Sequence, residues 1–212
     1  MPAAYYTVKT SGTHEITINK SRFLAHVKRV TTEDEAQAFI ESIKKEHANA
    51  THNCSAYLIG EQDDIQKAHD DGEPSRTAGV PMLEVLKKRE LKDTCVVVTR
   101  YFGGIKLGAG GLIRAYGTAV TEGINAVGVV ERSLMKVMSV TLDYTWIGKI
   151  ENEIRQSSYL LMDTLYEDAV SFHVYVPVEK KDIFTEWMIN LTSGQAAIQE
   201  LKDTYLERDA DE

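Results

Sequence analysis

The sequence predicts an α+β protein of two domains, and three observations support this prediction. Predicted strands alternate with predicted helices along the 212 residues. The elements of the last third follow the order βαββαβ. The charge is divided unequally, because residues 135–212 supply the whole net charge of −8 while residues 1–134 are neutral. We therefore expect a first domain over 1–134, a second over 135–206 and an acidic tail over 207–212.

In the first domain, local signals predict each element. Residues 21–30 alternate between apolar and polar side chains, as a half-buried strand does. Thr32 and Glu35 have the spacing of a capping box, which predicts a helix from there to about His47. The elements expected after it are a strand over 54–59, a polar loop over 60–74, a helix over 82–90 with Pro81 in its first turn, a strand over 94–101, and a helix over 110–126 ended by Gly128.

The second domain shows clearer periodicity. Its predicted elements are a strand over 136–144, a helix over 146–157, hairpin strands over 159–165 and 169–176, a helix over 180–191 and a final strand over 195–206. This order is that of the ferredoxin-like split βαβ fold. The polar tail, Glu207–Glu212, is expected to be disordered.

Composition indicates the cellular compartment in which the protein is expected. No run of about 18 apolar residues is present, so no membrane-spanning helix is predicted. The first residues lack the pattern of a secretory signal, and the two cysteines, Cys54 and Cys95, do not suggest a disulfide framework. Both observations favour the cytoplasm.

A glycine-rich loop between strand 94–101 and the following helix is the strongest candidate site. Glycine backbone lets amide groups approach a ligand, and a helix N-terminus attracts anions. Its spacing matches neither a Walker A loop nor a dinucleotide fingerprint, and a tight structural turn is the alternative. The residues predicted to bind phosphate or nucleic acid are Arg100, Tyr101, Gly103, Gly104, Lys106, Gly108, Gly110, Gly111 and Arg114.

An acidic loop is the second candidate. Asp70, Asp71 and Glu73 have the chemistry of an acid–base or cation site, although they lack EF-hand spacing. Alternatively, these carboxylates cap the next helix or pair with Arg100 and Arg114. The histidines and cysteine nearby do not have the spacing of a zinc site, so we predict no metal and no cofactor.

Four segments resemble the YigZ/IMPACT family. They are HANATHNCSAY (47–57), DDGEPS (70–75), TAG-x-P (77–81) and VVVTRYFGGIKLGAGGLIRAYG (96–117). The C-terminal βαββαβ pattern is similar to the smaller second domain of bacterial YigZ-like members. One position departs from the family pattern, because Arg76 stands where glycine usually precedes TAG.

The resemblance implies a ribosomal-protein-S5-domain-2-like α/β fold for the first domain and a ferredoxin-like fold for the second. It also implies a role in translation or its stress regulation, because the same two folds lie side by side in elongation factor G and contact the ribosome there. Eukaryotic family members are similar to inhibitors of a starvation-response kinase pathway.

Three hypotheses follow. The first is a non-enzymatic cytoplasmic factor that binds RNA or the ribosome through the glycine-rich loop, while the acidic second domain repels RNA and contacts a protein partner. The second is an enzyme acting on a small phosphorylated or carboxylated substrate, with the acidic loop and the glycine-rich loop converging on one enclosed pocket. The third is a protein-only adaptor, in which the cations are used in internal ion pairs with the same carboxylates.

Overall fold

A computed structural model describes residues 4–210, and they divide into two compact units. Of the described residues, the N-terminal unit comprises Tyr5–Glu131 and those from Arg208 to Ala210, and the C-terminal unit comprises Ala4 and Arg132–Glu207. The expected α+β class is confirmed.

The N-terminal unit contains six strands and three helices among the described residues. They are β1 (Ala4–Val8), β2 (Gly12–Ile18), β3 (Ser21–Arg29), α1 (Glu33–Glu46), β4 (His52–Ile59), β5 (Ile65–His69), α2 (Gly79–Lys88), β6 (Thr94–Tyr101) and α3 (Gly108–Val127).

Five of these strands form an antiparallel sheet in the order β2-β3-β6-β4-β5. The central strand β6 is buried along almost its whole length, because side chains on both of its faces are covered. Val96 and Val98 pack with Tyr116 of α3 on one face. Cys95 and Val97 pack with α1 on the other. This double burial explains why the sequence of β6 is a continuous apolar run rather than an alternating one.

The predicted ends of the helices are confirmed at two positions. Thr32 accepts a hydrogen bond from the Glu35 backbone N–H at 3.2 Å and is the N-cap of α1. The Glu35 carboxylate accepts from the Thr31 N–H at 2.7 Å, one residue earlier than a standard capping box. Gly128 ends α3 with a φ of 75°, a conformation that glycine adopts without a steric penalty.

The C-terminal unit has the expected βαββαβ order. Its elements are β7 (Val129–Leu142, which begins in the N-terminal unit), α4 (Ile147–Gln156), β8 (Leu160–Tyr166), β9 (Val170–Pro177), α5 (Lys181–Thr192) and β10 (Ala197–Asp209). The strand order β10-β7-β9-β8 is the ferredoxin-like arrangement. The core of the unit lies between the sheet and the helices, where Ile150 and Phe184 pack against Phe172.

The prediction was wrong about three N-terminal strands and about the tail. Strands β1, β2 and β5 were not predicted, and β5 lies within the segment expected to be a polar loop. Strands β2 and β5 are the two edges of their sheet and their side chains are largely outside the core, so they lack a strong apolar pattern. The tail expected to be disordered from Glu207 continues β10 to Asp209, and the Ala210 N–H donates to the Val129 carbonyl. Residues 211 and 212 lie outside the described part.

No helix within the described residues is both long enough and apolar enough to cross a bilayer.

Candidate functional site

A buried ion pair connects the acidic loop to the end of strand β6. Arg100 Nη1 lies 2.6 Å from Glu73 Oε1, and only 6% and 3% of the two side chains are exposed. The guanidinium lies over the rings of Phe23 and Phe102, at 5.4 and 5.5 Å from their centroids. Arg100 was expected to contact phosphate; in the structure its guanidinium is buried and paired with the Glu73 carboxylate.

Two further buried side chains complete this cluster. The Tyr116 hydroxyl donates to Glu73 Oε1 at 2.8 Å, and the Cys54 thiol lies 3.3 Å from the same hydroxyl. Burial raises the pKa of Cys54 to about 12, and burial also raises the pKa of Tyr116. Both groups are therefore protonated near neutral pH and act as hydrogen-bond donors, so Cys54 is not poised as a nucleophile.

The other two carboxylates of the acidic loop also have internal partners. Asp70 accepts hydrogen bonds from the backbone N–H groups at the start of α2, at 2.7 Å from Arg76, 3.0 Å from Ala78 and 2.8 Å from Gly79. Burial acts to raise the pKa of Asp70, but these three donors outweigh it and the pKa is lowered. Asp70 is thus the cap of α2.

Asp71 joins strand β4 to helix α1. Its carboxylate accepts from the Asn53 backbone N–H at 2.7 Å and from Lys44 Nζ at 3.0 Å. Burial opposes ionisation of Asp71, and these two donors nevertheless lower its pKa. Residues 4–210 contain no group of three or more His, Cys, Asp or Glu side chains arranged to hold a metal ion.

The glycines of the glycine-rich loop have two different structural roles. Gly103 packs against the β2–β3 turn, where a Cβ would lie 2.0 Å from the carbonyl carbon and oxygen of Lys20. Its N–H donates to the Ser21 hydroxyl at 3.2 Å. Gly104 and Gly108 have φ of 87° and 69° with no atom within 4 Å of a built Cβ. The first glycine is therefore architectural, whereas the other two shape an open turn in front of α3.

The start of helix α3 has no side-chain cap. Leu107 occupies the N-cap position, and the first turn contains no acidic residue. Gly110 and Gly111 lie in this turn, and a Cβ at Gly110 would meet only Arg114 Nη1, at 3.7 Å. The first N–H groups of a helix have no partner within the helix, and they carry partial positive charge. This turn is therefore suited to an anion.

Two of the three predicted cations lie at this helix start. The side chains of Lys106 and Arg114 are exposed, and neither has an ion-pair or hydrogen-bond partner in the described part of the chain. Lys20, which no local sequence signal singled out, is exposed on the turn that contacts Gly103. We name the set of Lys20, Phe102, Lys106, Arg114 and the first turn of α3 the glycine-loop surface.

Aromatic side chains border the glycine-loop surface. Phe102 is 46% exposed, so one part of its ring faces solvent although Arg100 packs on it. Tyr101 is held more firmly, because its hydroxyl lies 2.8 Å from His47 Nδ1 and the Arg22 guanidinium lies 5.3 Å from its ring centroid. Of the two, Phe102 is the better placed to stack on a base.

The acidic loop and the glycine-rich loop line different cavities. A cavity of about 290 Å³ beside the acidic loop is lined by Lys44, Asp70 and Asp71, among others. A second cavity of about 290 Å³ beside the start of α3 is lined by Asn19, Gly111 and Arg114, among others. The two cavities share no lining residue. Glu73 of the acidic loop instead contacts Arg100 of β6 and Tyr116 of α3, which belong to the two elements that flank the glycine-rich loop.

A polar chain inside the sheet was not anticipated. His26 Nδ1 lies 2.9 Å from Thr13 Oγ1 and its Nε2 lies 3.2 Å from Thr99 Oγ1, which in turn donates to Asn53 Oδ1 at 2.7 Å. Burial, followed by repulsion from His47, lowers the pKa of His26 to about 4. The only trace of this polar chain in the sequence is a polar residue at an inward-facing position of each strand. The alternation within a single strand does not show whether such a residue faces inward or outward.

Comparisons with known proteins agree with the observed fold. Residues 19–124 match the profile of the Impact N-terminal domain, and residues 140–195 match a domain of unknown function, DUF1949. The chain is 65% identical to "IMPACT family member YvyE" of Bacillus subtilis, over 97% of this chain and 94% of that protein.

More distant relatives match nearly the whole chain or less than half of it. "IMPACT family member YigZ" of Escherichia coli is 31% identical over 96% of this chain and 98% of that protein. "Protein IMPACT" of Rattus norvegicus is 37% identical over only 44% of this chain and 30% of its own length. A crystal structure described as that of a hypothetical protein is 29% identical, with a TM-score of 0.60, over 95% of this chain and 99% of that one.

Proposed function

The chain belongs to the IMPACT family, and from this premise we propose that it is a non-enzymatic cytoplasmic factor that binds RNA, free or within the ribosome, in translation or its stress regulation. The glycine-loop surface contacts the phosphates, and Phe102 stacks on a base. Arg100, one of the cations first expected to contact phosphate, is not part of this proposal because it is paired to Glu73.

The observation that carries the proposal is the uncapped first turn of α3 beside two unpaired cations. Lys106 precedes this turn and Arg114 follows it, so both charges lie where the helix dipole already favours an anion. Internal ion pairing, which the adaptor hypothesis requires, accounts for Arg100 but not for these two residues within the described chain. Phosphate contacts of this kind bind without reading sequence.

The distribution of charge along the chain also supports contact with RNA through its first part. The acidic excess lies in the last part of the chain, with 15 acidic and 7 basic residues over 135–212, whereas residues 1–134 contain 17 of each. Such a field repels a polyanion from the last part of the chain and favours contact through residues 1–134, which have no net charge. The C-terminal unit is then available for a protein partner.

The acidic loop fits binding better than catalysis. An enzyme that used Asp70, Asp71 and Glu73 would need these carboxylates free to face a substrate. Each of them instead accepts internal hydrogen bonds, from the start of α2, from Asn53 and Lys44, or from Arg100 and Tyr116. Their arrangement positions the glycine-rich loop relative to the sheet.

The test is binding of a fluorescein-labelled oligouridylate, and of purified ribosomal subunits, to the full-length protein. We expect the double variant Lys106→Ala with Arg114→Ala to weaken RNA binding at least tenfold, since it removes two phosphate contacts. The matched control is Lys67→Ala with Lys88→Ala, two exposed lysines elsewhere on the N-terminal unit.

Equal affinity of the double variant and its control would contradict the proposal. So would binding of an uncharged, phosphate-free analogue of the oligonucleotide as tightly as the RNA. Circular dichroism and thermal unfolding of each variant confirm that a loss of binding does not reflect a loss of fold.

A further inference from the structure

Strand β8 is an uncovered edge of the C-terminal sheet. The strand order β10-β7-β9-β8 leaves it paired only with β9, so its outer backbone groups face away from the sheet. Edge strands are templates for pairing with another chain, and proteins ordinarily protect them with charge, proline or a covering loop. Residues 160–166 contain one charged side chain and no proline.

The apolar side chains of β8 are exposed on both faces of the strand. Five of its seven residues are large apolar or aromatic ones, each between 38% and 59% exposed: Leu160, Leu161, Met162, Leu165 and Tyr166. Neighbouring β9 alternates strictly between buried and half-buried residues, as a covered strand does. Strand β9 is therefore covered, whereas its neighbour β8 is not.

A bulge interrupts the pairing of β8 with β9 near the start of β8. The register between β8 and β9 shifts between Leu161 and Asp163, so Met162 is the extra residue. Next to this end, a cavity of about 320 Å³ is lined by residues of α4 and of the β8 entry, Glu151, Ile154, Arg155, Tyr159 and Leu161 among them. An apolar side chain that extends from an added strand has a place to bury here.

The acidic residues around β8 favour a basic partner at this edge. Glu167 and Asp168 follow β8 directly, Asp163 lies within it, and Glu151 lines the adjacent cavity together with one cation, Arg155. Asp163 has a neighbour within the sheet, because its Oδ1 lies 2.7 Å from His173 Nδ1. A second copy of this chain would bring the same acidic surface against itself, and antiparallel pairing about the centre of the strand would oppose Asp163 with its own copy. A basic partner gains from the same field.

We propose that β8 is a docking edge for an extended, basic segment of another protein, which adds as a further strand to the sheet and places alternate apolar side chains on β8 and in the cavity beside α4. This deepens the proposed role of the acidic C-terminal unit in contacting protein. It does not depend on RNA binding by the N-terminal unit, because the residues involved are separate.

The experiment is a selection on the full-length protein from a displayed library of short peptides, with apolar residues at alternate positions and random residues between them. We expect Lys and Arg to be enriched over Asp and Glu at the random positions. The variant Met162→Lys with Leu165→Lys should lose at least tenfold in affinity for the selected peptides, since it removes apolar contact and adds repulsion.

The matched control is Ile183→Lys with Ile189→Lys, which changes two exposed apolar residues of α5 in the same way. Methylation of alternate backbone amides in a selected peptide should also abolish binding, because strand addition requires those N–H groups. The proposal is overturned if the selected peptides are not enriched in Lys and Arg, if they bind the β8 variant as tightly as the wild type, or if backbone methylation leaves their affinity unchanged. It is also overturned if sedimentation shows a dimer of the wild type that the β8 substitutions dissociate. RNA binding by the same β8 variant should equal that of the wild type, which separates this test from that of the proposed function.

Discussion

Glu73 and Arg100, 27 positions apart in the chain, form the buried contact on which the geometry of the candidate site depends. Glu73 Oε1 accepts from Arg100 Nη1 at 2.6 Å and from the Tyr116 hydroxyl at 2.8 Å. One carboxylate oxygen therefore ties the acidic loop to strand β6 and to helix α3. The glycine-rich loop runs between these last two elements, so one buried acid contacts the elements on both sides of it.

Replacing Glu73 by glutamine should lower the free energy of unfolding by about 3–5 kcal/mol, because a buried guanidinium loses its counter-charge. Urea denaturation of the two proteins measures the difference. The control is Glu15→Gln, which breaks the exposed pair with Arg22 and should change stability little. If the two substitutions cost the same, the Glu73–Arg100 pair does not have the structural role assigned to it.

Replacing Gly110 by alanine should have opposite effects on stability and on RNA binding. Gly110 lies in the first turn of α3 with space for a Cβ, so alanine should raise the free energy of unfolding by up to about 1 kcal/mol. The added methyl group should weaken RNA binding if phosphate approaches this backbone closely. Thermal unfolding and oligouridylate titration measure the two effects on one variant. Unchanged affinity would mean that the glycine serves only the turn.

The salt dependence of RNA binding should report the number of phosphate contacts. Three contacts, from Lys20, Lys106 and Arg114, predict a slope of about −2 for log K against log salt on a single strand. Each alanine substitution among the three should reduce the magnitude of the slope by about 0.7. A titration series in potassium chloride gives the slopes. A slope near zero for the wild type would rule out a phosphate-based interface.

Replacing Arg76 by glycine should stabilise the protein. Arg76 has a φ of 65°, in the left-handed region, and its backbone N–H donates to Asp70 at 2.7 Å. Glycine relieves a strain of about 1–2 kcal/mol there but adds freedom to the unfolded chain, so we expect a net gain of at most about 1 kcal/mol in the free energy of unfolding. Arg76→Ala retains the strain and should show no gain.

Stability should fall as the pH drops from about 6.5 toward 4, because of His26. Its pKa in the folded protein is about 4, lowered by burial and then by His47, whereas the unfolded chain has the ordinary value near 6.5. Between these values the unfolded state binds a proton that the folded state does not, so protonation favours unfolding. The urea midpoint at pH 7 minus that at pH 5 measures the loss. The difference should shrink in His26→Gln, and an equal difference in both proteins would assign the loss to other groups.

Local patterns in the sequence were sufficient for elements whose signal lies within a few residues. The Thr32 cap of α1, the apolar run of β6, the Gly128 end of α3 and the βαββαβ order of the C-terminal unit were all predicted, and the structure confirms them. Edge strands such as β5 escaped prediction, because a strand with little burial needs little apolar patterning.

The sequence by itself determined the fold class, the order of most elements and the glycine-rich loop with its cations, since each depends on residues adjacent along the chain. Only the tertiary structure decided which cations are free. Arg100 and Arg114 look equivalent in the sequence, but one is buried on Glu73 and the other is exposed at the start of α3. The reason is physical: whether a charge is available depends on which groups from distant parts of the chain surround it, and that is fixed by the packing of β6 and α3 against the acidic loop.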